Sequence, residues 1–306
     1  MESILERLRK GEILVADGAM GTMLFEKGLE SGDCPDLLNL TEPDIVGEIA
    51  RLYIEAGAEI IQTNTFGASP AKLANYGLEG KTEEINRKGV SIVKEASMKA
   101  VRKVDAKTGM KNPVYISGSC GPTGKILKPY GDAEPEELQE GFLKQIKALI
   151  DEGADIICVE TMIDLQEATL AIKAAKSISP EIPVIATMTF EETQKGFYTV
   201  MGIGIKEAAA SLEETGADII GSNCGNGMEK MIRIAREFKK FSSLPLIIQS
   251  NAGLPETRDG KTFYPESPDF FAEKAKDLIE IGVSIIGGCC GTTAEHIHSI
   301  KKTVDA

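Results

Sequence analysis

The chain has 306 residues, 42% of them hydrophobic, enough to bury a large core in one large domain or two ordinary ones. Its formal net charge of −13 repels nucleic acid and anionic lipid surfaces, and no basic run with interleaved aromatics offsets it. No stretch approaches the ~20 apolar residues of a membrane span, and the charged N-terminus MESILERLRK does not read as a secretory signal, so a cytoplasmic enzyme is the expectation.

Eight short, nearly continuous hydrophobic runs read as strands, at 13–17, 59–64, 114–118, 155–160, 183–189, 218–223, 245–251 and 283–288. Continuous rather than alternating apolar character is what parallel strands covered on both faces require. Amphipathic helical stretches lie between them, such as 134–153 and 268–282, and Gly57, Gly153, Gly216 and Gly282 stand where helices stop. A weak internal repeat runs through strands two, four, six and eight: EAGAEIIQTNT, DEGADIICVET, ETGADIIGSNC and EIGVSIIGGCC. Eight βα units in this length predict a single (β/α)8 TIM barrel, an α/β fold, over residues 1–306. A doubly wound open sheet is the alternative, but no GxGxxG follows the first strand. The long connections, 18–43, 120–134 and 252–268, all follow strands and so belong on the C-terminal, active-site face.

The six cysteines, Cys34, Cys120, Cys158, Cys224, Cys289 and Cys290, are too sparse for a disulfide framework. Aligning the repeat on its paired isoleucines puts Asn64, Glu160, Asn223 and Cys289 at one level and Thr65, Thr161, Cys224 and Cys290 at the next. Alternate strands of a barrel fill the same layer, so three thiols can converge across the chain. Neighbouring strand residues point to opposite faces, and Gly287, Gly288 and Gly291 are expected to relax that constraint. Three thiolates suit zinc with a fourth position open, the mark of a catalytic site, and such a site suits deprotonating a substrate thiol. Structural zinc, redox thiols and inert buried thiols are the other readings of the same cysteines. Cys158, within a strand, reads as simply buried. His296 and His298 read as surface or helix-end residues rather than ligands.

GGCCGT with an upstream NC, DGAMGT after the first strand and TNTF after the second together resemble the homocysteine S-methyltransferase family. The resemblance covers about 13–302 and is strongest to the homocysteine-binding module of cobalamin-dependent methionine synthases, which CGPTGKILKPYG and NAGLPETRDGKTFYP also match. It implies transfer of a methyl group to homocysteine, giving methionine, with Cys224, Cys289 and Cys290 as catalytic zinc ligands. It also implies that Asp17, Gly18 and Ala19 hold the amino-acid end of homocysteine and that Glu160 meets its ammonium. Asn64, Asn223 and Asn251 end strands in the same ring and are expected to orient those groups; turn-forming is their ordinary alternative. Three positions depart from the family pattern: Gly225 replaces a serine, TFEETQKGFYTVMG replaces a GRTLTG-like stretch, and Thr161 stands where betaine-using relatives carry an aromatic. The chain has no DxHxxG signature for holding a corrinoid, so a methylcorrinoid on a partner protein or another module is the expected donor. An S-methylmethionine-type donor, another thiol acceptor, and a non-catalytic zinc or thiol-binding regulatory module are the alternatives.

Overall fold

The computed structural model describes residues 2–101, 113–258 and 261–306. Asp259 and Gly260, in the NAGLPETRDGKTFYP segment, lie outside the described residues. Eight parallel strands form one sheet: β1 (Leu14–Val15), β2 (Ile60–Gln62), β3 (Tyr115–Cys120), β4 (Ile156–Met162), β5 (Val184–Met188), β6 (Ile219–Asn223), β7 (Leu246–Ser250) and β8 (Ile285–Gly288). Sequential strands neighbour one another from β2 to β8, and β8 pairs with β1. A parallel bridge from Ala16 to Ile60, with Glu59 N–H donating to Val15 O (2.8 Å) and Asp17 N–H to Ile60 O (3.0 Å), joins β1 to β2 and closes the barrel.

Helices follow the strands and pack outside: α1 (Pro43–Ala56), α2 (Thr82–Lys99), α3 (Pro135–Glu152), α4 (Leu165–Ile178), α5 (Ile205–Thr215), α6 (Met228–Phe238), α7 (Pro268–Ile281) and α8 (Ala294–Val304). The repeated glycines Gly57, Gly153, Gly216 and Gly282 cap α1, α3, α5 and α7 in the left-handed conformation, as their place in the repeat predicts. Among the described residues, no helix is long and apolar enough to cross a membrane.

The paired isoleucines explain the repeat. The first of each pair, Ile60, Ile156, Ile219 and Ile285, lies in a core inside the barrel with Leu14, Tyr115, Ile185 and Ile247. The second, Ile61, Ile157, Ile220 and Ile286, lies in the core between strands and helices. Each even strand is thus apolar on both faces, and four isoleucines from alternate strands form one interior layer. The N-terminal helix Ile4–Arg9 plugs the barrel beneath that layer with Ile4 and Leu8.

The plug is latched by charge. Arg7 Nη2 lies 2.8 Å from Glu59 Oε1, and Lys301 Nζ 3.3 Å from Glu59 Oε2, with the Glu59 side chain 3% exposed. Removing the carboxylate leaves two cations with lost partners in a buried setting. Glu59→Ala is expected to destabilise the fold by about 3 kcal/mol, as removal of one buried ion-pair partner does; urea unfolding of the two proteins measures it.

The long connections leave the C-terminal ends of β1, β3 and β7, as expected. The stretch after β5 forms a two-stranded hairpin, Glu191–Thr193 against Gly196–Tyr198. Glu192 on this hairpin pairs with Arg233 (2.6 Å) on α6, and the Arg233 guanidinium lies 5.1 Å from the Phe197 ring centre. This stretch therefore packs onto the helix that follows Cys224.

Candidate active site

Above the isoleucine layer, the even strands end in Asn64, Glu160, Asn223 and Cys289, the level predicted from the repeat. Cys224, Cys289 and Cys290 bring their sulfurs within 4.8 Å of one another, and Cys224 Sγ lies 3.8 Å from Cys290 Sγ. β7 sets that spacing. Its neighbouring carbonyls, Gln249 O and Ser250 O, accept Cys224 N–H (3.1 Å) and Cys289 N–H (2.7 Å) from the flanking strands.

Cys224 reaches the cluster by its own backbone. Its φ is 61°, and Gly225 follows at 73°, so two consecutive left-handed residues swing the thiol inward. A side chain other than glycine rarely sits there, and the strain is of order 1 kcal/mol. The glycines expected to relax the Cys289–Cys290 turn are only part of the answer; of those three, Gly291 alone has a positive φ (79°). A Cβ at Gly225 would fall 2.7 Å from Thr189 Cγ2, so a larger residue there would force that methyl group to shift.

Three clustered thiols cannot all ionise unaided. The other two S–H groups donate to Cys224 and hold its pKa well below the ordinary thiol range. The same contacts hold Cys289, and to a lesser degree Cys290, above that range. A dication held by the three sulfurs would remove that conflict.

Beside the sulfurs lie two buried acids. Glu160 is raised to about 7 by burial, although Ser119 Oγ donates to its Oε1 and Gln62 also bonds it. Asp17 is raised to about 8, first by burial and also by the charge of Glu160. Its Oδ2 accepts Gln62 N–H (2.8 Å), while its Oδ1 is buried with no hydrogen-bond partner among the described residues.

The asparagines divide. Asn223 is a hub: Oδ1 accepts from Thr161 N–H (2.8 Å) and Thr187 Oγ1 (2.8 Å). Its Nδ2 donates to Thr161 Oγ1 (2.7 Å) and Glu160 Oε2 (3.3 Å) and lies 4.0 Å from Cys289 Sγ. It thereby holds Thr161 in its own left-handed conformation, φ 58°. The Asn251 amide bonds Cys224, and its Oδ1 is buried without a hydrogen-bond partner among the described residues. Asn64 Nδ2 donates to Pro35 O (2.8 Å) and Asn39 Oδ1 (3.2 Å), tying β2 to the first long loop. Ala19 N–H likewise donates to Thr292 Oγ1 (3.1 Å), and Tyr53 OH to Ala19 O (2.7 Å), so this turn is fastened to the Cys290 loop.

The profile of the homocysteine S-methyltransferase family matches residues 14–304. The chain belongs to the homocysteine S-methyltransferase family. It is 34% identical over 312 residues to the methionine synthase of Mycobacterium leprae, covering 98% of this chain and 25% of that protein. It is 34% identical over 303 residues to that of Mycobacterium tuberculosis, covering 95% of this chain and 24% of that one. The chain thus spans about a quarter of the length of these relatives. Its fold superposes on the metallated form of the homocysteine methyltransferase MmuM from Escherichia coli with a TM-score of 0.78, at 23% identity, over 97% of this chain and 98% of that one. The apo form of the same protein gives 0.74.

Several contributors to the site of this homocysteine S-methyltransferase family member escaped sequence reasoning. Gln62, Ser119 and Thr187 line strands and support Glu160 and Asn223. Tyr264 packs its ring on Gly291 beside the sulfurs. His296, expected at the surface or a helix end, does cap α8 but is 6% exposed. Cys158 is fully buried inside the barrel, as expected. The signal for Gln62 and Ser119 was available in strand periodicity, since both fall on inward positions.

Proposed function

We propose that this chain methylates the sulfur of homocysteine, giving methionine, with zinc held by Cys224, Cys289 and Cys290. The observation that carries this reading is the sulfur triangle. A tetrahedral zinc about 2.3 Å from each sulfur sets sulfurs about 3.8 Å apart, and Cys224 and Cys290 stand at 3.8 Å. A zinc ion held by these cysteines would supply one thing, acidification of a bound substrate thiol, making that sulfur a nucleophile at neutral pH.

The chain's own residues supply the rest. Asp17 and Glu160 are two buried acids, and Asp17 Oδ1 has no hydrogen-bond partner among the described residues, a setting that favours a cation. The ammonium of an amino acid answers it. The DGA turn leads directly into the short helix Gly21–Glu26, whose start has no side-chain cap and would favour a carboxylate. Asn223 and Asn251 orient the acids and sulfurs, Asn223 through the hydrogen bonds already made. The amino-acid end is thereby fixed and the side-chain sulfur directed toward the cysteines.

The methyl donor in this reading is a methylcorrinoid carried by a partner protein or by another module. Its support is that both curated relatives are methionine synthases about four times the length of this chain. The test is a methyl-transfer assay with homocysteine and three donors in parallel: free methylcobalamin, a methylcorrinoid protein, and a small sulfonium. Turnover from either corrinoid supports the reading; turnover from the sulfonium alone overturns the donor but keeps the acceptor.

A pH dependence follows from the acids. Free of ligand, Glu160 is raised to about 7, so it is largely protonated below that pH. An ammonium binds the ionised form. Homocysteine affinity is therefore expected to fall about tenfold per unit as pH drops below 7 from this proton alone. Calorimetry across pH 5.5–8.5 should show a slope shallower by one proton in Glu160→Gln.

A further inference from the structure

The loop after β7 is bonded to both cysteine-bearing turns. On one side, Ala252 N–H donates to Cys290 O (2.9 Å), and Glu266 N–H donates back to Ala252 O (3.0 Å). The Tyr264 ring closes against the same turn: a Cβ on Gly291 would fall 2.1 Å from Tyr264 Cγ. On the other side, Glu266 Oε2 accepts Met228 N–H (3.1 Å) at the start of α6. Glu266 Oε1 lies where it would meet a Cβ on Gly227 at 2.1 Å. The N-cap of α6 is Gly227, which offers no side-chain cap. Glu266 supplies the missing carboxylate from a different loop, at the helix end where a negative group is favoured. Cys224 lies on the short turn that runs directly into that helix.

Glu266 is in turn held from beneath. His296 Nδ1 accepts Thr293 N–H (3.1 Å), so the ring proton sits on Nε2, which donates to Glu266 O (2.9 Å). The ring is 6% exposed and meets Phe271 edge-on at 5.0 Å. The order of contacts is Thr293, His296, Glu266, Met228, running from the Cys289–Cys290 side to the Cys224 side.

We propose that Glu266 and His296 are positioning residues: with Tyr264 they form a strut that holds the Cys224 turn and the Cys289–Cys290 turn at the separation at which three sulfurs share one metal ion. The proposal rests on the metal reading above. Glu266 and His296 act through backbone atoms, Met228 N–H and Glu266 O, rather than through a sulfur. Cys224 is strained, and left-handed backbone persists only where its surroundings over-determine it. The strut is that surrounding. Without it, the Cys224 turn relaxes and the sulfur triangle opens, although the barrel beneath stays closed.

The test is cobalt(II) titration of metal-free protein against a competing chelator, for wild type, Glu266→Ala, Glu266→Gln and His296→Phe. Affinity and the intensity of sulfur-to-cobalt charge transfer are both read, with a thermal unfolding curve for each metal-free protein. Loss of an outer partner of a metal site costs about 10–100-fold in affinity. Glu266→Ala and His296→Phe are expected to lose that much and to show weaker charge transfer. Glu266→Gln, whose amide oxygen still accepts from Met228, is expected to bind as wild type does. Should Glu266→Ala fail to fold, His296→Phe beside Glu266→Gln carries the same comparison. Folded variants with wild-type affinity and spectrum overturn the strut. Equal loss in Glu266→Gln also overturns it, because rescue by the conservative change is then absent. A wild type that binds no cobalt overturns the metal reading itself and is told apart by that control.

Discussion

Cys290→Ala is expected to lose stoichiometric zinc and methyl transfer while keeping its fold. The three sulfurs are the only ligand cluster found among the described residues, and Cys290 sits on a turn, not in the packed core. Thiolate zinc sites bind with about 10–16 kcal/mol, so one sulfur of three is worth about 4 kcal/mol, or roughly a thousandfold in affinity. Activity at limiting zinc is expected to fall at least as far. The metal-free variant should unfold at nearly the same temperature as the metal-free wild type, because deleting one partly buried sulfur on a turn opens no large cavity. Metal analysis, activity and unfolding curves on the two proteins check all three points. Loss of activity with zinc retained would place the cysteine in a different role.

Glu160→Gln is expected to raise KM for homocysteine about a thousandfold, to leave kcat nearly unchanged, and to stabilise the ligand-free protein. The first two effects follow from place. In the proposed reading Glu160 serves the ammonium end, not the reacting sulfur, so its loss would weaken ground state and transition state alike. Removing one member of a buried charge pair costs about 3–5 kcal/mol, which sets the scale of the KM change. The third effect follows from burial. The Glu160 carboxyl is raised to about 7 in the fold, against an ordinary value near 4.5. A raised carboxyl favours the folded state fully at pH below the unfolded value and loses that advantage as pH rises through the folded one. Above pH 7 the ionised carboxylate is therefore a burden on the empty protein, of order a few kcal/mol. Glutamine removes it. Steady-state kinetics and urea unfolding at pH 6 and pH 8 check the set. A variant that is less stable at pH 8, with lowered kcat, would mean that Glu160 is structural.

Such opposed effects on stability and binding mark a residue kept for a ligand. Ser222 and Gln249, by contrast, also carry buried oxygens without hydrogen-bond partners among the described residues, but neither is charged.

The barrel was legible because its strands are covered on both faces. The paired isoleucines of β2, β4, β6 and β8 split one inward and one outward, and a sequence records that as an unbroken apolar run. The cysteine cluster was legible for the same reason. The repeat places Cys224 and Cys289 at the ends of alternate strands, and alternate strands share a layer. What the repeat did not reveal is how Cys224 turns inward. That depends on its own positive φ, fixed by contacts from β7 and neighbouring loops.

Partners drawn from distant loops were equally hidden. Asn64 looks like its counterparts Glu160 and Asn223, yet Pro35 and Asn39 claim its nitrogen. The Ala19 N–H has Thr292 as its acceptor, 273 residues away. His296 sits on a helix end, where exposure is usual, but Phe271 and Glu266 cover it. Periodicity reports which face a residue occupies. It does not report which loop folds over that face.

X-ray absorption at the zinc edge, on zinc-loaded protein with and without homocysteine, tests the central claim most directly. Three protein sulfurs before homocysteine and four sulfurs after it are expected, with the fourth lost when homocysteine is replaced by its hydroxyl analogue, homoserine. A sulfur count unchanged by homocysteine, or a site already closed by four protein ligands that stay in place, would contradict it.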